Sequence, residues 1–122
     1  MAKKKESLEF YKAYEITVPH NIEILELINR RERQLLVHSC IYYRLGNNLI
    51  SDHTFDDWCK ELVKLIADNP HEFSLSQYAE DFKGFDGSSG FDLPYNDPRI
   101  VGMASFLIES KKRNQSELKG GN

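Results

Sequence analysis

Long apolar runs are missing from the sequence. No stretch of about 18 consecutive apolar residues occurs, so we expect no membrane-spanning helix. We expect no secretory leader either, because the basic start MAKKKES is followed by the mixed segment LEFYKAYEITV instead of an uninterrupted apolar core. We therefore expect a cytoplasmic protein with no membrane partner.

Cysteine is scarce. The two cysteines, Cys40 and Cys59, both lie in apolar segments, which favours reduced thiols over a disulfide framework. Together with His38 and His53 they supply enough ligand types for zinc, but their spacing matches no recognised pair of zinc-ligand knuckles. The sequence therefore predicts no metal site and no required cofactor.

An excess of positive charge is absent as well. The chain has 16 Lys and Arg against 19 Asp and Glu, which gives a net charge of -3. A protein that holds a phosphate backbone by charge needs a basic surface, so we do not expect direct nucleic-acid binding.

The length of the chain fits one domain. With 122 residues, of which 40% are hydrophobic, it can form its own core without disulfides or metal. We predict a single domain over 1–122, with flexible termini at about 1–7 and 114–122 because termini fray unless they are tied down.

Helical periodicity is abundant. Apolar spacing predicts a long amphipathic helix over 22–45, which begins after Asn21 and ends at Gly46. Two further helices are predicted over 52–68 and 98–112. The fold class is therefore mainly α, with the first two helices forming a hairpin and the third packed across it.

The faces of these helices can also be predicted. The charged belt at 30–34 (RRERQ) is expected to be a solvated surface, and residues 8–18 are expected to form a short helix, with a strand as the alternative. The residues expected to face inward are Leu25, Ile28, Leu35, Leu36, Ser39 and Tyr42 in the first helix and Ile100, Val101, Ala104, Leu107 and Ile108 in the last.

The segment 83–97 (KGFDGSSGFDLPYND) contains three glycines, two serines and a proline and predicts a loop. We expect an ordered loop, because Phe85, Phe91 and Leu93 can fold back over the helices. A phosphate-binding loop is the less favoured alternative, since the loop carries acidic residues and no Gly-Lys-Ser/Thr follows.

A more specific pattern runs from about residue 28 to 72. It resembles the N-terminal helical subdomain, called Ia, of bacterial NAD-dependent DNA ligases, in which a histidine and an aromatic pair precede a turn, ISD, and a Tyr-Asp pair that opens a helix. The residues that carry the resemblance are His38, Tyr42, Tyr43, Ile50, Ser51, Asp52, Phe55 and Asp56, then KEL, and finally Asn69 and Pro70.

The resemblance implies a binding site. In those ligases subdomain Ia holds the nicotinamide mononucleotide (NMN) half of NAD, which implies that Tyr42 or Tyr43 stacks on a nicotinamide ring, supported by His38. It also implies that Asp52 and Asp56 accept hydrogen bonds from ribose hydroxyls or the carboxamide. The remaining matched ligand-binding position is Phe55, where the family has tyrosine, so one ligand-binding hydroxyl is missing.

Each of these positions has an ordinary structural alternative. The two tyrosines have the spacing of core residues, and acidic residues stabilise a helix N-terminus through capping and the helix dipole. The sequence alone leaves both interpretations open.

Ligase catalysis is not expected. The K-x-D-G motif with its nucleophilic lysine is missing, and in KGFDG Lys83 lies one residue too far from Asp86. The second half of the chain, FDGSSGFDLPYNDPRIVGMASFLIES, is similar to small phage and prophage proteins described only as ligase-related. These resemblances suggest a non-enzymatic protein in the cytosol of a host bacterium.

We expect a phage-type accessory protein that acts by binding, and the favoured function is an inhibitor or modulator of a host protein of antiviral defence. The first alternative is a pocket that binds or sequesters NMN or an NAD-derived signal. The second alternative is an accessory subunit of a DNA ligase.

Overall fold

The computed structural model describes residues 18–120, and side chains of the last helix as far as residue 115. Within this range the chain is helical and contains no strand, which confirms the prediction of a mainly α fold. The segment predicted as a short helix at 8–18 lies outside the described residues except for Val18. None of the described helices is long and apolar enough to cross a membrane.

The first helix, α1 (Ile22–Ser39), begins where the Asn21 side chain accepts a hydrogen bond from the Ile24 N–H at 3.2 Å. It continues without a break as one π-helical turn, Cys40–Arg44. The helical segment ends at Gly46, which has a φ of 60°, a conformation that glycine adopts readily. The predicted extent of 22–45 is therefore close to the observed one, but its last turn is not α-helical.

The second helix, α2 (Asp52–Asp68), begins after Ser51, whose hydroxyl accepts from the Thr54 N–H at 3.1 Å. A short helix, α3 (Pro70–Ser74), follows directly, with proline at its first turn. The chain then forms successive turns as far as residue 97.

The last helix, α4 (Pro98–Gly120), starts at Asp97, whose carboxylate accepts from the Arg99 N–H at 2.8 Å. It extends eight residues beyond the predicted end at 112 and through most of the tail that we expected to be flexible. Helix α1 lies at the centre of the packing, since α2, α3 and α4 all contact it.

The core lies where these helices meet. Its largest fully buried side chains are Phe82, Ile28, Leu35, Leu36, Ile41, Leu62 and Ile100. Leu93 of the glycine-containing loop is also buried, and Phe85 is half-buried against the core. Two expectations are wrong: Phe91 is 60% exposed and Leu107 is 38% exposed, so neither side chain is buried in the core.

The prediction of a solvated belt at 30–34 is wrong at Glu32, which has no exposed surface. Its carboxylate accepts hydrogen bonds from the Ser76 hydroxyl at 2.8 Å and from the Tyr78 N–H at 3.2 Å. Glu32 therefore joins α1 to the turns that follow α3, and it satisfies polar groups that would otherwise be buried without a partner. Neighbouring Arg31 lies closer to the surface, as expected for the charged belt, and its Nε pairs with Glu61 Oε2 at 2.8 Å.

Candidate functional site

A pocket of about 340 Å³ opens where the end of α1, the start of α2 and the loop at 83–97 meet. This volume lies at the lower end of the range for small-molecule sites. Its walls are contributed by α1 and the π turn, by the connection to α2, by the first two turns of α2 and by two loop serines. The lining residues are His38, Ser39, Tyr42, Tyr43, Asn48, Leu49, Ile50, Ser51, Asp52, Phe55, Asp56, Ser88 and Ser89.

The pocket brings together every residue that the sequence analysis proposed for ligand binding. These residues are His38, Tyr42, Tyr43, Asp52, Phe55 and Asp56. Their shared location shows that the motif forms one concave surface, whereas binding of a ligand there stays a prediction.

The sequence analysis did not predict two parts of the pocket lining. Asn48 and Leu49 lie between matched motif positions, so their nearness in the chain to Tyr43 and Ser51 was the available signal. Ser88 and Ser89 come from a loop more than 30 residues further along the chain, and nothing in the sequence pattern placed them at this site.

The π turn determines how the tyrosines are presented. The Leu45 N–H donates to the Cys40 carbonyl at 3.0 Å, a bond that spans five residues instead of four. The wider turn shifts the following side chains out of the α-helical phase. Tyr42, which we expected to face inward, is instead 56% exposed, and Tyr43 is 41% exposed, so neither ring belongs to the core.

Tyr43 is held by an aromatic cluster at the rim of the pocket. Its ring stacks on Tyr95 with centroids 5.6 Å apart and meets Phe91 edge to face at 5.3 Å. Its hydroxyl lies 3.2 Å from the Ser89 hydroxyl, within hydrogen-bond distance. Tyr42 meets Tyr43 edge to face at 4.9 Å and is the more exposed of the two tyrosines. Tyr43 therefore fixes the rim, while the more exposed Tyr42 offers a stacking surface.

The opposite wall is acidic. Asp52 and Asp56 lie four positions apart at the start of α2, a spacing that places both carboxylates on one face of the helix. No lysine or arginine is among the described residues that line the pocket. Burial lowers the pKa of the remaining basic group, His38, so its imidazole is neutral at neutral pH. The pocket therefore carries negative charge beside aromatic faces.

Beneath the pocket the packing is tight. The His38 ring rests against Trp58 with centroids 5.4 Å apart. Gly90 of the loop covers Ser39, and a Cβ at this position would overlap the serine hydroxyl oxygen and lie 3.1 Å from the Phe55 ring. Only glycine allows the loop to approach α1 this closely, and that approach brings Ser88 and Ser89 to the pocket.

The site as a whole provides binding groups of several kinds. It offers π faces, carboxylate and amide acceptors, and hydroxyl groups around a cavity of small-molecule size. Comparison of the chain with protein families, with curated proteins and with solved structures finds no match. The resemblance to ligase subdomain Ia therefore rests on the motif residues and stays a prediction.

Proposed function

We propose that this chain binds the oxidised nicotinamide ring of NMN or of an NAD-derived nucleotide. The observation that carries the proposal is the combination, in one pocket, of exposed tyrosine rings and two carboxylates, with no lysine or arginine among the described lining residues. An oxidised nicotinamide ring attached to ribose is an aromatic cation. Electron-rich ring faces and carboxylates both attract such a ring, and the attraction is stronger where water is partly excluded.

The geometry suggests a role for each residue. Tyr42 offers its ring for stacking, and Asp52 and Asp56 accept hydrogen bonds from the ribose hydroxyls or the carboxamide. Phe55 contributes apolar surface where a tyrosine hydroxyl is expected from the ligase pattern, and His38 supports the pocket from the side of Trp58. These are binding roles, so we propose that the chain sequesters or senses the nucleotide and does not transform it.

Isothermal titration calorimetry with two forms of NMN tests the proposal. Oxidised NMN carries the ring cation, whereas the chemically reduced form has a neutral ring of nearly the same shape. We expect the oxidised form to bind and the reduced form to bind about tenfold or more weakly, because the attraction of the ring to the carboxylates and the tyrosine face is lost. Absence of heat with oxidised NMN at millimolar concentration contradicts the proposal, as does equal affinity for the two forms.

A pair of neighbouring aspartates provides the matched variants. Asp56→Asn removes a carboxylate that lines the pocket, and Asp57→Asn removes one that does not and that instead pairs with the exposed His53 at 3.4 Å. A hydrogen bond to a charged group contributes about 1.5–3 kcal/mol, so Asp56→Asn should weaken binding about tenfold to a hundredfold. Asp57→Asn should leave the affinity unchanged, and equal effects of the two substitutions would contradict the assignment.

The exposed rim supports a second candidate, which is an interaction with a host protein. Phe91 is 60% exposed and lies beside Tyr43 at the pocket mouth, where a large apolar side chain suits a protein contact. A phage-type inhibitor or modulator that uses this rim should capture a host protein in affinity purification. Phe91→Ala should abolish the capture, whereas Phe106→Ala, at an equally exposed position on α4, should not. Capture of a DNA ligase would instead favour the accessory-subunit function.

A further inference from the structure

A second cluster of side chains lies where the chain enters α1. His20 precedes the helix, and His71 and Glu72 belong to α3, more than 50 residues later. Each of the three offers one ligand atom, and these atoms all lie within 4.8 Å of one another. None of the three lines the pocket. Two imidazoles and a carboxylate are a ligand set that zinc and similar divalent transition metals favour over magnesium or calcium.

The surroundings orient two of these three ligands. His71 Nε2 lies 2.7 Å from the Val18 carbonyl oxygen. A carbonyl only accepts hydrogen bonds, so Nε2 carries a proton, and in the neutral form of the imidazole Nδ1 is the nitrogen with the lone pair. A histidine that binds a metal commonly donates its other N–H to a backbone carbonyl in this way, which fixes the tautomer and the ring orientation.

Glu72 is held just as firmly. Its Oε2 atom accepts the N–H groups of His20 at 2.7 Å and of Asn21 at 3.3 Å, and the residue is buried. Two N–H groups that donate to one carboxyl oxygen favour the charged form of the group. A carboxylate has about four lone-pair positions, so two backbone donors leave capacity for a metal bond.

We propose that His20, His71 and Glu72 form a site for a divalent transition metal of the zinc class. The two imidazole rings are stacked, with centroids 3.9 Å apart and planes inclined by 15°. Parallel rings do not direct their lone pairs at one point, so the His20 ring turns when the metal binds. His20 is exposed, whereas His71 and Glu72 already have their orienting partners. Water completes the coordination.

The bound metal has a structural consequence. It joins the segment before α1 to α3 through bonds that are stronger than the hydrogen bonds already present there. The site depends on the fold for its assembly and on nothing in the pocket, so this proposal is independent of nicotinamide binding.

Calorimetric titration of the metal-free full-length chain with zinc in a non-chelating buffer tests the site. We expect one zinc ion per chain. His20→Ala and His71→Ala should each weaken binding at least about tenfold, since even loss of an outer-shell partner typically has an effect of this size. His53→Ala is the matched control, because that histidine side chain is 86% exposed and lies outside the cluster. Circular dichroism establishes that each variant is folded before titration.

The variants His20→Ala and His53→Ala decide the test even if His71→Ala fails to fold. His71→Ala also removes the hydrogen bond to Val18 and is open to a folding defect, whereas the exposed His20 ring is not buried in the core. The proposal is supported if zinc binds with one-to-one stoichiometry, if His20→Ala weakens binding and if His53→Ala does not. It is overturned if no saturable binding occurs, if His20→Ala binds zinc as tightly as the unchanged chain, or if His53→Ala weakens binding equally.

Discussion

The buried carboxyl group of Glu32 should make the stability of this protein depend on pH in a direction opposite to that of most carboxyl groups. Burial, as the largest influence, raises its pKa from 4.5 to about 7, although the hydrogen bonds from Ser76 and Tyr78 act in the other direction. Nearby Asp81 contributes to the rise through charge repulsion. The folded chain therefore binds this proton more tightly than the unfolded chain does.

The sign and the size of the effect follow from this difference. The stabilising contribution of Glu32 is fully present below its unfolded pKa of 4.5 and is lost as the pH rises through about 7. One pKa unit corresponds to about 1.4 kcal/mol, so by about pH 8 the loss reaches about 3 kcal/mol. Glu32→Gln removes the charge at every pH while its amide oxygen still accepts from Ser76 or Tyr78.

Urea denaturation of both proteins across this pH range measures the effect. When the free energy of unfolding of the unchanged protein is subtracted from that of Glu32→Gln, the contributions of groups that titrate alike in both proteins cancel. We expect the difference to shift by about 3 kcal/mol in favour of the variant between about pH 4.5 and pH 8. Glu80→Gln at an exposed position is the control and should change stability by no more than about 0.5 kcal/mol. A difference that stays constant with pH, or shifts the opposite way, refutes the reasoning.

Two further predictions concern packing and the thiols. Gly90→Ala should destabilise the fold by about 1–3 kcal/mol in urea, because the added Cβ overlaps the Ser39 hydroxyl. Gly102→Ala in α4, where a Cβ meets nothing within 4 Å, should be neutral or stabilising, and equal losses for the two would contradict the close approach. Burial raises the pKa of both Cys40 and Cys59, the latter to about 11, so iodoacetamide should modify them only after unfolding. Rapid modification of either cysteine in the folded protein, detected by mass spectrometry, would contradict their burial.

Features that depend on neighbouring residues could be predicted well from the sequence. The predicted start of the first helix after Asn21 and its end at Gly46 are both local, because each depends on one side chain or one backbone angle within a turn of the helix end. The predicted starts at 52 and 98 also agree with the structure, where Ser51 and Asp97 accept hydrogen bonds from the first turns of α2 and α4. The end of α4 was placed too early, because no comparable local stop signal precedes its last residues.

Features that depend on distant residues could not be predicted in this way. Glu32 looks like one member of a charged surface, and the groups that bury and bind it follow 44 and 46 residues later. Likewise His20 and His71 are 51 residues apart, so a search for local zinc-ligand spacing finds nothing at either of them. Periodicity identifies the face of a helix, but the groups that cover that face depend on how distant segments pack.

The candidate site is predictable to the extent that it is local. The motif from His38 to Asp56 spans two helix ends and their connection, so its residues lie together once those helices form. Periodicity gave the wrong orientation for Tyr42, because a regular α-helix was assumed through a turn that is π-helical.

The exposed rim has an energetic implication for function. Full burial of a large apolar side chain stabilises a fold by about 1.5–3 kcal/mol. Tyr42 and Tyr43 on the π turn stay partly exposed, so much of that stabilisation is not realised. Phe91 adds a third exposed ring at the same rim. A ligand or a partner that covers these rings would bury that surface on association. π turns are frequent at functional sites, and the position of this one, beside two carboxylates and a cavity, supports binding as its purpose.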